Sequence, residues 1–503
     1  MAWWVWTLWG AGFGAPLVVA LVLWVRALRA RRLDDGPENH RRADNGLGAL
    51  IDPRSKWYRR VPSHPWTWVV VALLVFFAFS LWLQYLIVYS GLVAQIVNDL
   101  KDADMPAQYL SQDAYNEGLL KSTGYAAITL GAYMLIFVLL DRWRPTTPSM
   151  KLMAFGWGAC GATVASMYVN TWASNLIAAG ASGKDMANNA AAVFVAPFVE
   201  EACKATILFL LVMAMRRRLC SVLQMIGLSG LAAAGFAFVE NIIYYVRVYC
   251  EAALVVGPEA NSYLQQMFMM RGVYTSFGHP LFTMMTAFGL ICGLRQRSKL
   301  ARVICPLTGY FVAALLHMCF NGLATFMQDY KMLAMIGVML VVGVIGWLLG
   351  QFMAQKKVIA WRLDDYIRMG WLRDRDPAVY SAMKSRMKLS VAGYLRGWRI
   401  GKATTRLMSD VTELAYLRQG VATGIVDAGV VGREHELVVD ARALRGVALD
   451  EPDGLRLMPR YRGPAAWHTF KAWVARRRTP RPAPVPQWAP PVAPQPWGVP
   501  VSR

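Results

Sequence analysis

The sequence predicts an all-α polytopic membrane protein, and three observations carry that prediction. Apolar residues make up 56% of the 503, in runs of about twenty and not in the shorter periodic stretches of a soluble core. Charged residues are only 17% of the total and collect between those runs. The intervening segments alternate so regularly in charge that one orientation satisfies them all.

About nine spans follow, at 3–25, 66–94, 123–141, 152–180, 190–214, 222–247, 273–294, 303–326 and 332–354. The first begins Met1-Ala2-Trp3-Trp4 with no basic segment ahead of it, and Arg26, Arg29, Arg31 and Arg32 come after it. It therefore reads as an N-outside anchor and not as a cleaved signal peptide. Segment 26–65 is Arg-rich and inside, whereas 95–122, with Asp99, Asp102, Asp104, Asp113 and Glu117, is outside. Arg142, Arg144 and Lys151 return inside, and 181–189 is an outside loop. Arg216–Arg218 are inside, 248–272 is outside, and Arg295, Arg297, Lys299 and Arg302 are inside. After 327–331 outside, Lys356 and Lys357 bring the chain in again. The expected topology is N-out and C-in, in a multi-pass bacterial cell membrane.

Five regions are expected. Residues 1–122 hold two spans and the Arg-rich loop, 123–326 form a core that holds the ionisable groups, and 327–355 hold the last span. Residues 356–475 are basic, helical and cytoplasmic, and 476–503 form a Pro-rich extended or disordered tail. The net charge of +22 is accounted for by topology beside an anionic bilayer, so no nucleic-acid partner is expected. The seven cysteines show no Cys-x-x-Cys spacing, which argues against a disulfide framework or a thiolate metal site.

Glu200, Glu201 and Lys204 stand in the middle of the fifth span. One charge at the centre of a membrane helix costs about 2.5–3.5 kcal/mol on insertion scales, so three within a turn and a half need a partner or a function. Glu240 is the other carboxylate well inside a span, and His279 and His317 are the two intramembrane histidines. A rise of about 1.5 Å per residue sets Glu200 roughly 15 Å, Glu240 and His279 roughly 10 Å, and His317 roughly 14 Å below the outer face. Four antiparallel helices thus deliver their ionisable groups to one layer. Lys204 lies three and four residues from the glutamates and can pair with either. Phe236 with Glu240, and His317 with Asn321, each share a helix face. Pro197 and Pro280 are expected to loosen the helices beside the glutamate pair and His279. Gly227, Gly230 and the Ala232–Gly235 stretch would let helices pack closely.

Adjacent buried carboxylates can hold a proton between them, a carboxylate with an imidazole can activate water, and a second His with an Asn can donate to an oxyanion. Hydrolysis is the chemistry such a group suits. The same groups could bind zinc, with Glu201, Glu240, His279 and His317 as the candidate ligands, although no His-Glu-x-x-His helix imposes it. No cofactor is obligatory on this reading. Cys203 reads as a small apolar filler, and Trp172, Tyr244 and Tyr245 as interfacial residues.

At these residues the chain resembles the PrsW family of intramembrane proteases, within a superfamily that includes CAAX-processing and bacteriocin-processing membrane proteases. The matches are Val199-Glu200-Glu201-Ala202-Cys203-Lys204, Gly235-Phe236-Ala237-Phe238-Val239-Glu240-Asn241, Gly278-His279-Pro280 and His317-Met318-Cys319-Phe320-Asn321. They occur in family order on successive helices, and the resemblance covers about 120–325. It implies catalytic Glu200 and Glu201, with Glu240, His279, His317 and Asn321 as site partners and Lys204, Phe236 and Asn241 in support. It also implies a membrane-anchored protein substrate cut near the outer face, such as an anti-sigma factor, by a glutamate-activated or zinc-bound water. Two other functions use similar residues: a proton-coupled transporter and an inactive membrane scaffold. No inverted repeat supports the first, and the complete polar set disfavours the second.

Overall fold

The computed structural model describes residues 65–450 apart from short breaks at 103–110, 181–183, 216–220, 256, 297, 327–329 and 424–429. The expected first span, nearly all of its Arg-rich loop, the end of the 356–475 region and the Pro-rich tail lie outside the described residues. The described elements are all helical. They are α1 (Pro65–Asp102), α2 (Gln112–Leu140), α3 (Pro148–Gly156), α4 (Thr163–Gly180), α5 (Lys184–Ala190), α6 (Ala196–Met215), α7 (Val222–Val255) and α8 (Ala260–Met267). Then come α9 (Gly278–Leu294), α10 (Lys299–Phe326), α11 (Tyr330–Arg368), α12 (Asp376–Tyr380), α13 (Met383–Arg396), α14 (Trp398–Thr423) and α15 (Val430–Arg445). The chain divides into two compact units at Phe352/Met353, within α11.

Among the described residues, seven helical stretches are long and apolar enough to cross a membrane: Val71–Ala94, Gln112–Leu140, Pro148–Ala179, Val222–Val255, Ala260–Leu294, Lys299–Phe326 and Ala334–Arg368. Each coincides with an expected span. The expected span 190–214 corresponds to α6, which has 20 residues but carries Glu200, Glu201 and Lys204.

Helix ends depart from the hydropathy boundaries. Residues 112–122, expected as loop, are the start of α2, because Ser111 Oγ caps Ala114 N at 3.1 Å and Tyr115 is buried. Residues 184–190, 248–255 and 260–267 are helical as well, and α11 runs on to Arg368. Hydropathy marks where a helix is apolar, whereas caps and hydrogen bonding decide where it ends.

α7 is the centre of the membrane unit, and every residue from Val222 to Ala237 is buried. Around it pack Ile207, Leu208 and Leu211 of α6 and Met284, Ala287 and Leu290 of α9. Small residues set the approach of these helices, as expected where lipid gives apolar contacts no net advantage. A Cβ on Gly158 would stand 1.9 Å from the Ala232 carbonyl oxygen, and one on Gly235 would stand 2.2 Å from that of Phe155.

Three π-helical stretches, Trp157–Ala162, Ala191–Val195 and Phe268–Tyr274, widen the helices of this unit. Each has side-chain donors on its carbonyls. Gln84 Nε2 donates to Ala159 and Cys160 at 3.1 and 3.4 Å, Asn321 Nδ2 to Ala192 at 2.9 Å, and Thr129 Oγ1 to Gly272 at 2.8 Å. An apolar bilayer could not satisfy those groups, so the protein does. Pro197 follows closely on the π-helical stretch Ala191–Val195, in a helix that runs without a break from Lys184 to Met215. That is the loosening expected beside the glutamate pair, whereas Pro280 sits in the first turn of α9, where the missing N–H costs little.

In the second unit, α13, α14 and α15 pack around Leu389, Leu407, Val411, Leu414 and Leu437, all 1% exposed or less.

Candidate active site

The charged residues of α6 are held from three sides. Lys204 is fully buried, with Nζ 2.8 Å from Glu201 Oε1 and 3.5 Å from Glu200 Oε2. It lies 4.0 Å above the centre of the Phe236 ring of α7 and donates to His279 Nδ1 of α9 at 2.9 Å. A lysine with no exposed surface is tolerable because carboxylates, an imidazole and a ring face replace its water.

The partners assign the His279 tautomer and the role of His317 Nδ1. An ammonium can only donate, so His279 accepts at Nδ1 and donates from Nε2 to Glu240 Oε2 at 2.6 Å. Glu240 also receives Arg271 Nη2 at 2.9 Å, while Arg271 Nε donates to Asn241 Oδ1 at 3.3 Å. His317 donates from Nδ1 to Glu201 Oε1 at 3.2 Å. Its Nε2 faces Glu200 Oε2 at 4.0 Å, with the ring stacked on Phe282 at 4.8 Å and 19°.

These contacts separate the adjacent glutamates. Glu201 is fully buried and saturated: Lys204 and His317 meet Oε1, and Thr283 Oγ1 donates to Oε2 at 2.8 Å. Glu200 receives only Asn170 Nδ2, on Oε1 at 3.3 Å, and its buried Oε2 has no hydrogen-bond donor. Three carboxylates face two fixed cations, Lys204 and Arg271, and Glu200 is the one that neither cation meets closer than 3.5 Å and whose buried Oε2 lacks a hydrogen-bond donor.

Glu200 lines a cavity of about 650 Å³, together with Asn170, Glu240, His279, His317 and Asn321. Such a volume suffices for water and a short peptide segment. Ligand atoms of Glu200, His279 and His317 all lie within 4.8 Å of one another. Glu201 and Glu240, which the sequence reading includes among the zinc ligands, are not in this group; both oxygens of Glu201 and Oε2 of Glu240 are engaged by the residues just named. Asn321 lines the cavity, but its amide nitrogen is committed to the Ala192 carbonyl.

Sequence reasoning missed Arg271, Thr283 and Asn170. Arg271 sits in the π-helical stretch, inside what hydropathy reads as the 248–272 loop. Thr283, one helical turn after His279, was detectable by the four-residue spacing on a shared face. Tyr244 and Tyr245 were read as interfacial. Tyr245 is fully buried, and the Tyr244 ring lies 3.7 Å from the Arg271 guanidinium.

A carboxylate with an oxygen that lacks a donor, two imidazoles beside it and a water-sized cavity, among helices apolar enough to cross a membrane, define the class of a membrane-embedded hydrolase. Residues 146–348, about two fifths of the chain, match the model of the PrsW family intramembrane metalloprotease. Over those residues the chain is similar to a PrsW-family protease domain, which supports a membrane protease. No curated protein and no solved structure matches it.

Proposed function

We propose that this domain cuts a membrane-anchored protein near the outer face of a bacterial cell membrane, with Glu200 as the base that takes a proton from water. The observation that carries the reading is that Glu200 lines the cavity while its buried Oε2 oxygen has no hydrogen-bond donor. A water hydrogen-bonded there loses a proton to Glu200 as its oxygen bonds to the scissile carbonyl carbon. The proton then passes to the amide nitrogen as the C–N bond breaks, which returns the carboxylate to its starting state. Asn170 orients Glu200. Lys204 stabilises the negative charge of both glutamates, and Glu201 keeps His317 in the tautomer whose Nε2 faces the reacting water.

A divalent metal fits the same donors, given an orphan carboxylate oxygen and an imidazole nitrogen. Glu200, His279 and His317 would hold it, with His279 giving up its bond from Lys204. Bound there, zinc would acidify water and polarise the carbonyl. The metal content of the purified chain, with His317→Ala as the blank, decides whether the ion is present.

The cavity wall carries hydroxyls and amides, among them Thr163, Ser166, Asn170 and Ser174 of α4, and these suit a substrate backbone unwound from its helix. A signalling protein such as an anti-sigma factor, cut in regulated proteolysis, is the proposed substrate class. The test compares membrane-protein N-termini in cells carrying the wild type, Glu200→Gln or His317→Ala at equal abundance. New termini that vanish in both variants support the proposal and name the substrate. Identical termini in all three would overturn it.

A further inference from the structure

We propose that the C-terminal unit docks on an anionic lipid surface through one face of α13 and the start of α14. Between Asp376 and Asp410 the sequence holds seven Lys or Arg residues and no Asp or Glu. α13 presents Lys384, Met387, Lys388, Val391 and Tyr394 to solvent, at the three- and four-residue spacing of a single helix face. Trp398, 68% exposed, opens α14 beside them, and its ring is 5.2 Å from that of Tyr394.

The stripe crosses from one helix to the next because the two helices are pinned together. Gly397 turns the chain at φ 143°, a region that favours glycine. A Cβ on Gly393 would come 3.1 Å from Gly401 Cα, and one on Gly401 would enter the Tyr394 ring at 2.4 Å. Lys402 Nζ lies 5.2 Å from the centre of the Trp398 ring, and Arg399 is exposed next to it.

Charge distribution within the unit selects the partner. Several of its acids are paired with arginines: Glu413 with Arg433 at 3.0 Å, Asp440 with Arg406 at 2.9 Å, and Asp376 with Arg445. None of Lys384, Lys388, Arg399 and Lys402 is in an ion pair with a described residue. An apolar aromatic stripe flanked by unpaired cations is the pattern of an interfacial amphipathic surface, where Trp and Tyr enter the headgroup region and Lys and Arg meet anionic lipid. The chain reaches this unit through α11, whose Ala334–Arg368 stretch is apolar enough to cross a membrane. A lipid surface is therefore present at high local concentration.

The full chain is reconstituted into vesicles of phosphatidylcholine, with or without phosphatidylglycerol, that contain a phospholipid bearing a photoactivatable diazirine. Labelled peptides are read by mass spectrometry, with the transmembrane helices as internal reference. Peptides covering 383–402 are expected to label about five-fold or more above the exposed face of α15 when phosphatidylglycerol is present. That excess should fall at least as much in Lys384→Glu/Lys388→Glu. Trp398→Ser is a second variant that leaves the charges intact, and it too should lower labelling. All these positions are exposed, and an unchanged melting temperature verifies the fold. Labelling no higher than α15, or independent of phosphatidylglycerol, overturns the proposal. So does labelling abolished by added RNA at low salt, which would assign the face to nucleic acid.

Discussion

Glu200 and Asp410 pose the same physical problem in the two units of this protein. Each is a buried carboxylate with one oxygen that lacks a hydrogen-bond donor, Oε2 in Glu200 and Oδ2 in Asp410. Each has one cation at the edge of ion-pair range, Lys204 at 3.5 Å and Arg406 at 3.7 Å. Their surroundings differ. Glu200 faces a cavity, an imidazole nitrogen and a fully buried ammonium. Asp410 sits on a packed helix face, and its arginine is 43% exposed and shared with Asp440. An orphan carboxylate therefore marks chemistry only where water, a proton partner and a fixed counter-charge accompany it. Without them it marks a site where stability depends on pH.

The sharpest way to break this comparison is at Glu200 itself. Glu200→Gln keeps the shape and the acceptor for Asn170 while removing the base, so proteolysis should fall by about 10²–10⁴-fold with the melting temperature nearly unchanged. Retained activity would show that the free oxygen is incidental.

Glu201→Ala is expected to act through the fold. It strips Lys204, His317 and Thr283 of a shared acceptor, and removing one partner from a buried ion pair costs about 3–5 kcal/mol. A urea midpoint unchanged from wild type would put the two glutamates on equal terms and erase the distinction drawn between them.

Arg271→Ala should have a smaller effect, a loss of roughly 10–100-fold, comparable with other groups that orient a catalytic side chain. Glu240 would keep His279 but lose its own counter-charge. Arg271→Lys should restore only part of the loss, because a lysine cannot reach Glu240 and Asn241 together. The effect should fall on kcat and leave KM near wild type. A change confined to KM would reassign Arg271 to substrate contact.

The cost of charge in a membrane explains what could be read from the sequence. Glu200, Glu201, Lys204, Glu240, His279 and His317 interrupt apolar runs, where leaving any of them facing lipid is expensive, so their convergence follows from composition and depth. Asn170 and Thr283 carry no such penalty, and Arg271 lies past the hydropathy boundary on a helix that continues by hydrogen bonding. The different fates of Glu200 and Glu201 could not be read either. Adjacent residues on a helix point about 100° apart, so the packing of α6 between α7, α9 and α10 decides which one meets the cavity. In the C-terminal unit the helices were legible, but nothing in the sequence marked Asp410, which resembles any charged residue on an amphipathic helix.

Asp410 gives the smallest expected effect and the cleanest contrast. Burial pushes its carboxyl from 3.8 up to about 7, against the opposing pull of Arg406. The folded state thus holds the proton more tightly than the unfolded chain does. Below about pH 4 both states are protonated, and the site costs no charge burial. As pH rises from there to about 7 the unfolded chain ionises first, so stability declines, and above 7 the full penalty stands. Asp410→Asn removes the ionisation and should stabilise the C-terminal unit at pH 8 while changing little near pH 4. The urea midpoint for proteolysis within α14 of the full chain, taken at both pH values, reads this directly. Destabilisation by Asp410→Asn at pH 8 would mean that the ionised carboxylate supports the fold through Arg406. Asp410 would then be one partner of a structural ion pair, and the orphan oxygen of Glu200 would have no counterpart in the second unit.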